Sequence, residues 1–375
     1  MRKKLAIVRG RFLNKFEMQS FEPLAKAYDM RAFSSLYPLH DSFAFPTTKL
    51  ISPMDTVEFP FKISLLNRLF VDAHYLFGLR ESLRGFDIAH TAETYYHYTQ
   101  QCLDAKKKGY VKKVIATVWE NIPFNNEGIF GREIFKKRTI AELDHIIAVS
   151  ERAKLALLLE GADDHKITVI NPGIDISKFT VNGKKTKKQI TILFVGRLEE
   201  EKGIVELLLA FKKLLTDKDL KGYRLRLVYV GTGSQKKNLL ALIKKLYIEK
   251  YIVVKSIPYE LISNEYRKSD IFVAPSKGTF YWQEQWGMAL MEAQASGLPI
   301  ITTRSGSIEE NVGDAAILVQ PGDVLSVYQA IKKLILNPQL RLQFSEKARK
   351  RAVEVHDARI AAKKIAEVYE KVLSE

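Results

Sequence analysis

Glu284 and Glu292 stand eight positions apart in the run APSKGTFYWQEQWGMALMEAQASGLPIITT, which spans Ala274 to Thr303. Two carboxylates so placed could share acid–base work or grip the two ends of one ligand. If both were helical, eight residues would put them roughly 12 Å apart along the axis and about 80° around it. Hydrolytic carboxylate pairs sit closer, about 5–9.5 Å apart, so a hydrolytic dyad fits poorly and an extended ligand fits better. A solvated acidic helix start, which Asp and Glu favour, accounts for the spacing equally well, so context must decide.

That context includes cations. Arg197 and Lys202 lie five residues apart in GRLEEEKG, around the expected start of a helix near Gly203. Beside a helix N-terminus they could neutralise a diphosphate, the guanidinium binding two oxygens at once. They could equally pair with Glu199 to Glu201 on the surface. The glycine run GTGSQ, Gly231 to Gln235, reads more readily as a tight turn than as a phosphate cradle. Near the N-terminus, Gly10 would let the backbone approach a ligand closely, in a polar loop that also holds Asn14. His90 and His97 have no Asp or Cys cluster beside them and read as packing or polar residues; no metal site is expected.

The elements that must position these groups follow from periodicity. IFVAPS, Ile271 to Ser276, is short and apolar and reads as a buried strand, and Met288 to Ser296 is rich in helix formers, with Gly297 as its cap. A strand's carboxyl end therefore meets a helix N-terminus, where open α/β sheets bind ligands. Upstream, strands are expected at Lys4–Val8, Phe86–Ala92, Lys112–Trp119, His145–Ser150 and Lys166–Asn171, with helical segments at Glu17–Tyr28, Phe61–Leu83 and Arg152–Leu159. A hydrophilic stretch, Ser177 to Gln189, reads as an interdomain linker with a basic tip. Downstream, strands are expected at Ile190–Arg197, Arg224–Gly231, Tyr251–Ile257, Ile271–Ser276, Pro299–Thr303 and Ala315–Gln320, before a charged helical tail from Pro338 to Leu373. Strands alternating with helices imply two mostly parallel, doubly wound sheets.

Composition agrees. A chain of 375 residues, 46% hydrophobic, can bury a large core and suggests two domains. The single cysteine, Cys102, excludes an internal disulfide and any multi-thiolate metal site. No apolar stretch approaches the ~20 residues of a membrane span, and the start MRKKLAIVRGRF turns charged too soon for a signal peptide, so a soluble, cytoplasmic protein is expected. Of the net charge of +16, residues 1–175 carry +4 (25 Lys and Arg against 21 Asp and Glu) and residues 176–375 carry +12 (34 against 22). The excess is mostly scattered doublets on helical patterns, which solvated helix faces explain; no specific nucleic-acid motif stands out.

Taken in order, GRLEEEKGIVELLLAF, GTGS, YRKSDIFVAPS and the glutamate pair with EAQASGLPIITT closely resemble the nucleotide-binding half of retaining glycosyltransferases of family 4. DHIIAVSERAKLALLLEGADDHKITVINPGIDISKF, Asp144 to Phe179, is similar to the passage between that family's two domains. The resemblance covers about Asp144 to Gly322. It implies an α/β, GT-B fold: two doubly wound Rossmann-like domains facing across a cleft. Residues 1–175 would bind the acceptor and 176–356 the donor, with a C-terminal helix, 357–375, packing back on the first domain.

The same resemblance assigns roles. Arg197 and Lys202 match the basic pair on the donor diphosphate, and Glu284 and Glu292 match the E-x7-E motif, facing the donor sugar and the ribose respectively. Gly287, Met288 and Ala289 would offer amides to phosphate oxygens, and Gly196, Gly231 and Ile257 complete the donor set. The implied reaction moves a hexose-type sugar from a UDP- or GDP-sugar to a hydroxyl of a glycan, lipid-linked or small-molecule acceptor, with no further cofactor required. Catalysis would rest on Arg197, Lys202 and Glu284. Where many members carry a sugar-contacting histidine this chain has Trp119-Glu120-Asn121, so Glu120 could take that role or the loop could be rebuilt. Gly10, Asn14 and Trp119 would line the acceptor side or the cleft; the first-domain loops that would choose the acceptor contain aromatics at Tyr95, Tyr96 and Tyr98 but no decisive motif. Lys106 to Lys108, Lys112, Lys113 and Lys136 to Arg138 could form a basic face touching an anionic membrane at its inner surface, or simply a solvated one. Another GT-B reaction, such as nucleotide-sugar epimerisation, and polyanion binding by the basic half remain as competing readings.

Overall fold

The computed structural model describes residues 2–181 and 188–375. The chain forms two compact units, one of Met1–Gly173 with Ala358–Glu375, the other of Ile174–Asp357. In the first, strands β1 (Lys4–Val8), β2 (Asp29–Ser34), β3 (Thr47–Lys49), β4 (Phe86–Ala92), β5 (Val111–Val118), β6 (His145–Ala148) and β7 (Ile167–Val169) make one parallel sheet in the order β3-β2-β1-β4-β5-β6-β7. In the second, β8 (Gln189–Val195), β9 (Arg224–Val230), β10 (Ile252–Lys255), β11 (Ile271–Ala274), β12 (Ile300–Thr303) and β13 (Ala316–Val319) pair in the order β10-β9-β8-β11-β12-β13, again all parallel. Strand order reverses between β1 and β4 in one sheet and between β8 and β11 in the other. In open α/β sheets such a reversal is where ligands bind, beyond the carboxyl ends of the strands.

Apolar runs make these strands because helices cover both faces of each sheet. Ile271 to Ala274 is buried throughout. The helix Ile204–Leu215 turns Leu207, Leu208, Phe211 and Leu214 onto Ile192, Phe194 and Leu227, a spacing that keeps one helical face inward. The final helix, Ala358–Ser374, belongs to the first unit and buries Ile365, Val368, Tyr369 and Val372 in the cluster that holds Leu5, Ile7, Ile88 and Ile115.

Several boundaries differ from the sequence expectation. Glu17–Tyr28 is not one helix: a short turn at Lys15–Met18 is followed by a 3-10 segment, Glu22–Lys26, with proline in its first turn, where a proline ring cannot continue a preceding helix. Phe61–Leu83 divides into Lys62–Phe70 and Leu79–Ser82, the break starting at Val71, whose φ is +63°. The long tail breaks at His356–Asp357, where the Ile174 amide donates to the His356 carbonyl. Of the stretch expected as a linker, residues 182–187 lie outside the described residues; Ile176–Lys178 forms a 3-10 turn inside the second unit, and Phe179 is buried there against Tyr266.

Candidate active site

At the β8/β11 reversal the loops after the two strands are stitched together. The Lys277 amide donates to the Glu201 carbonyl, 2.8 Å away. Gly203, at φ +69°, packs so closely that a Cβ would run into the Pro275 carbonyl. This brings Lys202 to Glu284: Nζ lies 2.6 Å from Oε2, with the two side chains 16% and 13% exposed. Ser276 Oγ donates to the same Oε2 at 3.1 Å, and the Lys202 ammonium stands 4.5 Å from the centre of the Trp282 ring. Glu284 is fixed from behind as well, since its carbonyl accepts from the Ser307 amide at 2.8 Å and Gly306 leaves no room for a side chain against it.

The sequence left open whether Arg197 and Lys202 merely pair with neighbouring acids. They divide: Arg197 is exposed and bridges to Glu201 at 3.0 Å, whereas Lys202 reaches a carboxylate 82 residues away. The GTGS turn is tied down by Glu199, which accepts from the Ser234 amide and hydroxyl. Gly231 packs its backbone against the Gly196 carbonyl, and Ile257 is half-buried just beyond β10.

Glu284 lies in the loop before the helix Met288–Ala295 rather than on it, so the helical separation does not apply; only Glu292 is helical. Gly287 is the helix N-cap, and the amides of Gly287, Met288 and Ala289 fall in the first turn, where no intrahelical acceptor exists. Glu292 is buried and accepts a 2.7 Å hydrogen bond from the Tyr266 hydroxyl. Burial pushes its carboxyl up to about 7, against the opposing pull of hydrogen bonds from Tyr266 and Tyr259. Asn311 anchors the intervening segment, donating to the Trp286 carbonyl and accepting from Gln294. Ser276, Trp282, Tyr266 and Asn311 escaped the sequence reading; only Ser276, directly after an apolar strand, carried a signal.

In the first unit the residues expected on the acceptor side make local contacts. Gly10, at φ +53°, sits against the Tyr98 ring. Asn14 is an N-cap, accepting from the Glu17 amide while donating to the Phe12 carbonyl. Trp119 is half-buried and its amide donates to Glu93 Oε1 at 2.9 Å. The Glu120 carboxylate takes four hydrogen bonds from its own loop, from the amides of Asn121 and Ile122 and the side chains of Asn125 and Asn126. Glu93 was missed: it is buried, has φ +57°, and burial with the nearby Glu120 charge pushes its carboxyl up to about 8.

The supposed basic face is interleaved with acids. Lys106 and Lys113 bridge to Asp144, Lys112 to Asp87, Lys137 to Glu133 and Arg138 to Asp104 and Glu142. Lys136 is not a surface residue: its side chain is 3% exposed and held by Glu127 and Glu160, because its helix turns that side inward. His90 bonds to Tyr369 and Thr117, and His97 to the Phe70 carbonyl. Among the described residues no cluster of His, Cys, Asp or Glu is arranged to hold a metal, and no helix is long and apolar enough to cross a membrane.

The family model described as glycosyl transferases group 1 matches residues 175–351, and that of glycosyltransferase family 4 matches residues 46–178. The chain is 28% identical over 248 residues to the capsular polysaccharide biosynthesis glycosyltransferase CapM of Staphylococcus aureus, covering 61% of this chain and 62% of CapM. It is 27% identical over 226 residues to a D-inositol 3-phosphate glycosyltransferase of Geodermatophilus obscurus, covering 56% of this chain and 49% of that protein. The chain thus spans about half to three fifths of the length of these relatives. Among solved structures, Anabaena HepE in complex with UDP and glucose shares the fold, with a TM-score of 0.76 over 99% of this chain and 100% of HepE at 15% identity. With two Rossmann-like units, a family model on each and the fold of HepE throughout, the chain belongs to the family 4-like glycosyltransferases of GT-B architecture.

Proposed function

We propose that the protein is a retaining glycosyltransferase that moves a hexose-type sugar from a nucleoside-diphosphate sugar to a hydroxyl of a glycan, lipid-linked or small-molecule acceptor. The observation that carries this reading is the Lys202–Glu284 pair at the β8/β11 reversal, beside a helix start with free amides. HepE, whose fold the chain shares, is solved with UDP and glucose, and that supports a UDP-sugar as donor.

In this reading Arg197, Lys202 and the amides of Gly287 to Ala289 receive the diphosphate. Lys202 has three N–H donors, so it can keep Glu284 and still reach a phosphate oxygen. Glu284 orients the sugar hydroxyls, and Glu292 accepts from the ribose. The bond from the anomeric carbon to the diphosphate oxygen breaks with its electron pair going to the diphosphate. The acceptor oxygen bonds to the same face of that carbon, and its proton passes to a diphosphate oxygen, which gives retention of configuration. Cations and amides already in place stabilise the growing charge without reorganising, which is the effect that lowers the barrier. Glu120, whose oxygens are engaged by its own loop, shapes that loop rather than taking part in bond breaking. Membrane association through the lysine-rich segments is not needed for any of these steps.

A thermal-shift screen against UDP-, GDP- and ADP-sugars tests the proposal and reads out the base. Stabilisation by one nucleotide series is expected; no stabilisation by any of the three would overturn it.

A further inference from the structure

The β1/β4 reversal in the first unit is the topological counterpart of the β8/β11 reversal, and aromatic and titratable side chains gather there. The loop after β1 supplies Phe12, the loop after β4 supplies Tyr96, and the segment between the helices Lys62–Phe70 and Leu79–Ser82 brings His74 to both. The His74 ring centroid is 4.7 Å from that of Phe12 and 4.9 Å from that of Tyr96, and Phe12 and Tyr96 stack at 5.5 Å. Phe12 is 38% exposed, so the group of rings reaches the surface.

His74 is held in a single orientation. Its Nδ1 lies 3.1 Å from Asp72 Oδ1, and its backbone amide donates to the same oxygen at 3.0 Å. Asp72 is fully buried and is fixed in turn by Arg132, whose Nη2 is 2.7 Å from Oδ2, and by the His97 amide. Two charges in good geometry thus cancel beneath the imidazole. The ring's other nitrogen, Nε2, is buried and has no protein partner, and His74 as a whole is only 9% exposed. Glu93 Oε2 and the Tyr98 hydroxyl, on the loop and helix after β4, are also buried without a partner. Buried polar atoms nearly always find a hydrogen bond, so three orphans around one sheet reversal point to a polar ligand.

Backbone strain falls at the same place. Val71, next to Asp72, has φ +63°, a poor conformation for a β-branched residue, and Glu93 has φ +57°. Such outliers are costly and persist only where the surrounding structure over-determines them, as it does around ligand sites.

We propose that Phe12, Tyr96 and the Asp72-oriented His74 form a subsite for one neutral sugar ring of the acceptor. Phe12, the exposed member of the group, swings aside to admit the ring, whose apolar face lies on the aromatic side chains while a hydroxyl donates to the uncovered His74 Nε2. A neutral ring is favoured over a phosphorylated one because the charge of Arg132 is offset by the buried Asp72, even though its Nε has no partner, and Arg11 is committed to the Met54 carbonyl and Glu58. His74 is then a positioning and specificity residue, and the inference rests on the glycosyltransferase reading above.

Saturation-transfer NMR with methyl α-glucoside, methyl α-galactoside and methyl α-mannoside, with glucose 6-phosphate as contrast, tests it on the full chain. Transfer to at least one glycoside is expected, with several-fold less to the sugar phosphate. Phe12→Ala, a change at a partly exposed position, and His74→Gln should each weaken the signal at least fivefold, while thermal stabilisation by UDP stays as in the wild type. No transfer to any glycoside in the wild type, stronger transfer to the phosphate, or an unchanged signal in both variants would overturn the subsite. Absence of nucleotide stabilisation in the wild type would instead strike the proposed function.

Discussion

Lys202 and Glu284 are 82 residues apart in sequence and joined by a 2.6 Å ion pair at the point where the second sheet reverses its strand order. The pair is mostly screened from water, so its charges act more strongly than an exposed pair would. Replacing Arg197 and Lys202 together by alanine should reduce turnover with the stabilising nucleotide sugar by at least ~10²–10³-fold, the scale of one lost preorganised donor. The fold should survive: the exposed Arg197–Glu201 bridge is worth at most about 1 kcal/mol, and Ser276 still donates to Glu284. Near-normal turnover in a folded double variant would sink the donor-site assignment.

Glu292 gives that site a pH dependence. Its carboxyl is pushed up to about 7 by burial, so it is mostly protonated at pH 6 and mostly ionised at pH 8. An ionised carboxylate is the better acceptor for ribose hydroxyls, so nucleotide binding should tighten as pH rises through 7. Glu292→Gln, which can accept but not ionise, should flatten that part of the profile and leave any titration of the nucleotide's own phosphate. Calorimetric dissociation constants between pH 6 and 8 decide; equal slopes for both proteins would remove Glu292 from the ribose site.

Gly203 couples packing to the same site. Alanine there would meet the Pro275 carbonyl and adopt φ +69°, whereas alanine at Gly222 meets nothing within 4 Å. Gly203→Ala should cost about 1–3 kcal/mol by chemical denaturation, and it should raise the donor KM by displacing the loop that carries Lys202. Gly222→Ala should stay within about 0.5 kcal/mol of the wild type. Equal effects at the two positions would mean that the β8 and β11 loops are not held together as described.

Much of this was legible in the chain. FDIAHTA has the bounds of β4, and IFVA is buried at every position, because parallel strands covered on both faces need continuous apolar runs. β2 escaped because Asp29 and Arg31 interrupt its apolar residues, and β3, TTK, has no apolar side chain at all. Arg197, Lys202 and Glu284 could be singled out in the sequence because each follows a recognisable strand or precedes a recognisable helix. Asp72, His74 and Glu93 were invisible for a physical reason: their significance lies in burial and in partners brought from elsewhere, as when Arg132 meets Asp72 across 60 positions. The local hydrogen bonds of Asn14 and Glu120 were not legible either, since a polar side chain in a loop can bond to its own backbone.

Glu93 supplies the last prediction. Its carboxyl is raised from the ordinary carboxylate range to about 8, first by burial and then by the Glu120 charge. The unfolded chain therefore loses this proton near pH 4.5 while the folded chain keeps it up to about 8. Folding is favoured by the proton below the unfolded value, and that advantage is lost progressively as pH rises between the two, at about 1.4 kcal/mol per unit of pH. Above 8 the loss is complete. Glu93→Gln keeps the shape without the titration, so the variant should gain stability over the wild type as pH is raised from 5 to 9. Tm measured across that range should rise relative to the wild type by several degrees. A constant difference between the two proteins at all pH values would mean that Glu93 is ionised in the folded state and that the Trp119 amide, together with solvent, satisfies it.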